Sequence, residues 1–399
     1  MTLKINYQFF VCLSFMGIVL SSSQAIVQFG LDKPLQYISY FLLIVCILIS
    51  LLKNSSEIVL RRVFYFVFIS FLFTLGISLQ NLSIPRKIYL SFSMLIISSL
   101  ATLPISVVNY VDELRRISYY LLYGVLFSTI LGVIFRVQLL TIAVEGIGIG
   151  FGFNGGVTHK NFFAITVFAS YMLLVISRKY GRRYQIDFLI LILDIVLLLV
   201  SNTRSIYLLL AVFLGIMNID WFLKIKKKQR QIMFIVIIPL SFILSSVFFD
   251  YIVANSGSYT HRVQGVINLF NYYKNDYFHL FFGDAELAFG NSEIDYGYKI
   301  RSVIGWNGTV EMPLLSVMIK NGYVGLIGYI LVLLKFVKDV NLVKVTYIKR
   351  IGLSILAPLL LSAIVENYIV NINFVFMPVC FTILCSIKNM EKRNQLEIL

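Results

Sequence analysis

The chain has 399 residues, of which 59% are apolar and 13% charged, and its mean hydropathy is +0.87. Water-soluble domains carry about 45–50% apolar and about 25% charged residues, so these values exclude a soluble enzyme, a disordered chain and a secreted disulfide scaffold, and leave an all-α polytopic membrane protein. The net charge of +15 raises nucleic-acid binding, which the placement of the charge then excludes.

A helix needs about 20 apolar residues to cross the hydrocarbon core. In chain order the apolar runs predict twelve spans: 7–28, 36–52, 63–79, 88–108, 117–135, 161–177, 186–201, 205–222, 232–253, 312–334, 351–370 and 371–387. The first follows Lys4 and contains Ser23-Gln24-Ala25, a small-x-small sequence. Its apolar run exceeds the usual signal-peptide core of about 7–15 residues, so it is read as a retained anchor. The seventh span is short and contains Asp194, and the last two are separated only by the polar residues Glu366-Asn367-Tyr368 and Asn371-Ile372-Asn373. Cys12, Cys46, Cys380 and Cys385 all fall in apolar runs without metal-ligand spacing, which reads as buried small hydrophobes.

Basic residues give the orientation, because cytoplasmic loops accumulate Lys and Arg. With a cytoplasmic N-terminus, the inside loops hold Arg178, Lys179, Arg182 and Arg183 after the sixth span, five basic residues in 224–230, and Lys335, Lys338, Lys344, Lys349 and Arg350 after the tenth. Both termini are then cytoplasmic. The inside loops are too short for a nucleic-acid-binding domain, and the longest outer segment carries more acids than bases.

That outer segment, 254–310, lies between spans nine and ten and is the one hydrophilic insertion in a single membrane domain of 1–399. Loops longer than about 12–15 residues are usually functional. Val263, Val266, Ile267 and Phe270 recur at helical spacing, and Thr260 reads as an N-cap, which predicts a surface helix over 260–275. His261 and Arg262 would lie in its first turn, where unpaired N–H groups and the positive dipole end can hold a phosphate. The competing reading is an interfacial helix whose Arg262 meets lipid phosphate. Further on, Tyr296, Tyr298 and Trp306 are candidates to stack on sugar rings, and Asp284 and Glu286 to bind hydroxyls; ordinary packing at the interface competes for each aromatic.

Lys160, Arg204 and Lys320 fall at or near outer ends of spans. An ionisable group at membrane depth is costly and therefore a functional candidate. Arg204, in the tight turn 201–205, is expected to be buried and to seek a bidentate anion, with Asp194, Glu311 or Glu366 as competing partners. For Lys320 and Asp194 the favoured reading is a helix–helix polar contact. Together Lys160, Arg204, Arg262 and Lys320 would surround an apolar entry from lipid, a constellation suited to a lipid-linked pyrophosphate. His159, His261 and His279 are dispersed, and no metal motif or Walker loop occurs, so neither a metal nor a cofactor is expected.

With these residues in place, the chain resembles bacterial O-antigen and capsular polysaccharide polymerases of the Wzy type, within the superfamily that includes O-antigen ligase. The likeness rests on FGFNGGVTHKNFFA (151–164), SNTRSIYLLLAVFLG (201–215), the long outer loop, and EMPLLSVMIKNGYVGLIGYILVLL (311–334). Arg204 and Gly215 stand in the family's R-x10-G arrangement, whereas Arg262 has Tyr273 where that arrangement would have glycine, and Glu311 stands near the ligases' histidine. The resemblance implies a GT-C-like, metal-independent membrane glycosyltransferase of the bacterial plasma membrane. It would join undecaprenyl-pyrophosphate-linked oligosaccharide repeat units, with membrane lipid around it and a chain-length regulator and a flippase as partners. Arg204 and Arg262 would steady the leaving pyrophosphate and Glu311 would act as base, with Glu286, Asp284 and His279 as alternatives. Lys160, His261, His279, Asp284, Glu286, Tyr298, Trp306 and Lys320 would bind substrate. A lipid-linked oligosaccharide flippase, a ligase-like transferase and a non-enzymatic assembly partner are the rival readings.

Overall fold

A computed structural model describes residues 7–52, 56–103, 108, 110–145, 148–219, 257–288, 302, 313–366, 368 and 370–398, and for 7, 56–59, 142–145, 148–150, 257–264, 288, 364–365 and 393–398 the backbone only. The helices are α1 (Tyr7–Ser21), α2 (Gln24–Gln28), α3 (Asp32–Leu52), α4 (Ser56–Leu79), α5 (Ile84–Thr102), α6 (Val111–Ile134), α7 (Lys160–Tyr180), α8 (Gln185–Ser201), α9 (Arg204–Met217), α10 (Gly257–Tyr273), α11 (Tyr277–Phe282), α12 (Pro313–Asn341), α13 (Thr346–Val365) and α14 (Phe376–Ile398). A helix overlaps every predicted span except the ninth, 232–253, which lies outside the described residues. Among the described residues, six segments are long and apolar enough to cross a membrane: Asp32–Leu52, Leu60–Leu79, Val111–Ile134, Lys160–Tyr180, Pro313–Asn341 and Thr346–Ala363.

The expectation of a purely helical chain is corrected at one place. Leu140–Glu145 (β1) and Gly148–Phe153 (β2) form an antiparallel hairpin in which Leu140 faces Phe153 and Glu145 faces Gly148. β1 is rich in β-branched residues, and β2 alternates glycine with Ile149, Phe151 and Phe153, a period of two that suits a strand.

The centre of the bundle is α7, which packs against α6, α8, α9, α13 and α14. Phe163, Phe168, Met172 and Ile176 are fully buried there, as a helix surrounded on all sides requires. Helix α8 is organised the other way. It buries Asp187, Asp194 and Ser201, and exposes Phe188, Leu189, Ile192, Ile195, Leu199 and Val200. In water this face choice would be unfavourable; in lipid, polar side chains turn inward and apolar ones meet the acyl chains. All four cysteines are buried thiols.

Short connections make successive helices antiparallel, which sorts the helix ends into two sets. At one end Gln8 Nε2 of α1 donates to Glu113 of α6, Arg115 reaches Asp112 (3.1 Å) and Asp187 (3.2 Å), and the Tyr119 hydroxyl also donates to Asp187. Lys179 donates to the Met217 carbonyl at that same end. Asp339 bridges Lys335 (3.0 Å) and Lys388 (2.7 Å), and Glu391 accepts the N–H groups of Lys344 and Val345. This is the basic end. The hairpin, α2, α10 and α11 occupy the other, with the starts of α5, α7, α9 and α12.

Candidate functional site

At the hairpin end, the sequence Phe153-Asn154-Gly155-Gly156 turns the chain from β2 toward α7. Gly155 (φ 57°) and Gly156 (φ 71°) both take the left-handed conformation that glycine adopts without a Cβ clash. Asn154 Oδ1 accepts the Gly156 N–H at 3.2 Å. The turn is tied to the α1–α2 junction, because Gln24 N–H donates to Gly156 C=O (2.7 Å) and Thr158 N–H to Ser22 C=O (2.9 Å). His159 then caps α7, its Nδ1 accepting the Asn161 N–H at 3.1 Å.

Lys160 is the first residue of α7 and is half-buried. Its stem runs past Gly152: a Cβ there would sit 2.8 Å from Lys160 Cδ and 2.7 Å from the Ser201 carbonyl. Beside it, Asn202 takes a left-handed conformation (φ 48°) and donates to Phe151 C=O at 2.9 Å, which fixes the α8–α9 turn against the hairpin. Arg204 opens α9 directly afterwards. Lys160 and Arg204 therefore flank one turn. Ser205 Oγ lies 3.3 Å from the Tyr368 hydroxyl, and Glu366, two residues before Tyr368, is buried. The expectation that Arg204 is buried is corrected: its side chain is exposed, because the inward positions of this turn of α9 are taken by Ile206 and Leu209.

A second group is built where the long outer segment meets α4 and α12. Helix α12 is broken at Gly322 (φ 64°, ψ −165°). A break within a membrane helix strands backbone groups that other protein groups must satisfy. Here Asp284 N–H donates to Ile319 C=O (2.7 Å), and Gln80 Nε2 donates to Lys320 C=O (3.0 Å) and Phe282 C=O (2.6 Å). Gln80 Oε1 accepts the Ala285 N–H at 2.7 Å, and Asn321 Nδ2 donates to Phe73 C=O at 2.7 Å. Glycines allow the backbones to meet. A Cβ on Gly76 would lie 2.2 Å from Phe282 O, one on Gly283 (φ 83°) 2.7 Å from Gly322 N, and one on Gly322 2.3 Å from Phe281 O. The 281–285 segment is thus docked into the break, and Lys320 sits half-buried beside it.

Above this junction, Asp276 caps α11, accepting the His279 N–H at 3.2 Å while its other oxygen lies 2.5 Å from His279 Nδ1. That side-chain hydrogen bond holds the Asp276 carboxyl below the usual carboxylate range. The Tyr273 ring packs on the imidazole with centroids 5.4 Å apart, and its hydroxyl donates to Asp284 Oδ2 at 2.9 Å. Glu286 pairs with Arg86 of α5.

Of the residues singled out in the sequence, His279, Asp284, Glu286 and Lys320 are therefore gathered at the α12 break, and Lys160 and Arg204 at the hairpin. Helix α10 buries Leu269 and Tyr273 against Leu287, Leu315, Met318 and Ile319, so the helix that carries His261 and Arg262 lies at this same end. Those two side chains, together with Tyr296, Tyr298, Trp306 and Glu311, lie outside the described residues. The N-cap assigned to Thr260 is corrected: the chain is already helical at Gly257, so the N–H groups of His261 and Arg262 fall beyond the unpaired first turn. The anion-holding first turn expected there is withdrawn. Gln80, Arg86, Asp276, Tyr273 and Asn321 escaped the sequence reading. Arg86 alone left a signal, a basic residue at the outer start of a span where the charge rule disfavours one.

No protein-family model matches the chain, and no curated protein matches it.

Proposed function

We propose that the chain is a GT-C-like membrane glycosyltransferase that joins undecaprenyl-pyrophosphate-linked repeat units into surface polysaccharide at the outer face of a bacterial plasma membrane. In this reading there are twelve spans, both termini are cytoplasmic and the hairpin end faces out. The chain stands at the basic end at Met217 and at the hairpin end by Gly257, which supports the even count. The concentration of Lys and Arg opposite the hairpin supports the orientation.

One observation carries the reading: the 273–286 segment is docked into the α12 break and holds a histidine–aspartate pair at the same end of the bundle as Lys160 and Arg204. Asp276 takes the Nδ1 hydrogen of His279, leaving Nε2 to accept a proton. This pairing supports His279 as the general base, one of the alternatives to Glu311. The acceptor hydroxyl gives its proton to Nε2 as its oxygen attacks the anomeric carbon, and the carbon–oxygen bond to phosphate breaks with its electron pair on the pyrophosphate. Lys160, Arg204 and Arg262 stabilise the charge that builds there. The donor's own pyrophosphate supplies the driving force.

Purified protein in detergent, given lipid-linked repeat units, is expected to yield a ladder of longer glycans and released undecaprenyl pyrophosphate. Detergent abolishes compartments, so a flippase yields no ladder, and that result would remove the proposal.

A further inference from the structure

Asp194 plays no part in the transfer just described. It lies midway along α8 with no exposed surface, among helices α6 and α7. Ser170 Oγ of α7 lies 3.2 Å from Asp194 Oδ2, 3.1 Å from Ser118 Oγ of α6, and 3.2 Å from the Ser118 carbonyl. The second carboxylate oxygen, Oδ1, has no hydrogen-bond partner among the described residues. Asp194 also has no ion pair among them; the nearby carboxylate on its own helix, Asp187, is taken by Arg115 and Tyr119.

The cluster is therefore rich in oxygen and poor in hydrogen. Ser118 and Ser170 supply two hydroxyl hydrogens between them, and neither reaches Asp194 Oδ1. A carboxylate at this depth is strongly unfavourable unless its charge is cancelled. A cation bound among these oxygens removes both problems, because it cancels the charge and needs no hydrogen. One carboxylate, two hydroxyls and one carbonyl from three helices give a hard, singly charged oxygen set. No group of three or more His, Cys, Asp or Glu gathers among the described residues, and the ligand sets of divalent ions draw on more carboxylates than this.

We propose that Asp194, Ser170 and Ser118 form a binding site for a sodium-sized monovalent cation that ties α6, α7 and α8 together. The site is independent of the polymerase reading. A ligand that binds only the folded state raises its stability with concentration. Melting of the purified full-length protein in detergent is measured against NaCl and against choline chloride at equal ionic strength. The melting temperature is expected to rise saturably with Na+ only, and the rise is absent in Asp194→Asn. Ser170→Ala, which removes one ligand, moves the half-saturating Na+ concentration up about tenfold. Equal responses to the two salts, or an undiminished Na+ response in Asp194→Asn, overturn the proposal. Should Asp194→Asn not fold, radioactive Na+ binding to the wild type decides: one ion per chain supports the site, and none overturns it. Stabilisation by acid alone, with no Na+ response, identifies a protonated carboxyl as the occupant and likewise overturns it.

Discussion

The two ends of the bundle use their charges differently. At the basic end, cations answer anions across helices: Arg115 with Asp187, and Lys335 and Lys388 with Asp339. The junctions there are made by side chains that join regular helix termini. At the hairpin end the backbone itself is irregular, with left-handed glycines at 155, 156, 283 and 322, a two-stranded hairpin and a broken helix. Two of its carboxylates, Asp276 and Asp284, answer an imidazole and a phenol, and a third, Glu286, pairs with Arg86 near the start of α5. Irregular backbone inside a membrane bundle is tolerated where it lines a cavity or is held by protein. One end is built to hold helices together, and the other has given up regular structure to place particular groups.

That contrast can be broken from either side. The largest effect is expected at the basic end on assembly. Arg115→Met leaves the fully buried Asp187 without its cation, and removal of one partner from a buried pair costs about 3–5 kcal/mol. Less folded protein should be recovered in detergent, with specific activity per folded molecule unchanged. At the hairpin end Arg204→Ala should do the reverse. Loss of one group that stabilises transition-state charge lowers turnover by about 100–1000-fold, while the protein reaches the membrane at wild-type levels; unchanged glycan length in this variant would remove Arg204 from the site. Gly283→Ala is expected to cost about 1–3 kcal/mol, through left-handed strain and contact with the α12 backbone. It should release the 273–288 segment, read as faster limited proteolysis there than in the hairpin. The smallest effect belongs to Lys388→Met. Its ion pair is more than a third exposed on the lysine side, so a loss below about 1 kcal/mol is expected, with no change in product.

Long apolar runs made the helices legible, because about 20 residues of hydrocarbon-compatible sequence have few other fates. The hairpin was harder. Alternating glycine in 148–153 is a strand signal, yet the run is short and lies next to a span, where it reads as a glycine-rich approach. Arg204 was placed correctly in a tight turn but given the wrong environment, since the turn tucks Ile206 inward and leaves the arginine outside. The docking of the outer segment was not legible at all. Gln80 meets Phe282, Ala285 and Lys320 at separations of 202, 205 and 240 residues, and no local periodicity encodes such partners. Asp284 and Glu286 were picked out as acids for sugar hydroxyls, whereas one accepts from Tyr273 and the other pairs with Arg86.

The central claim is that the hairpin end carries the chemistry and His279 the proton. The most direct test is single-turnover release of undecaprenyl pyrophosphate by detergent-purified protein saturated with lipid-linked repeat units, comparing wild type with His279→Ala. Loss of a general base predicts a rate lower by about 100-fold or more, with donor binding unchanged. Release at the wild-type rate would contradict the account.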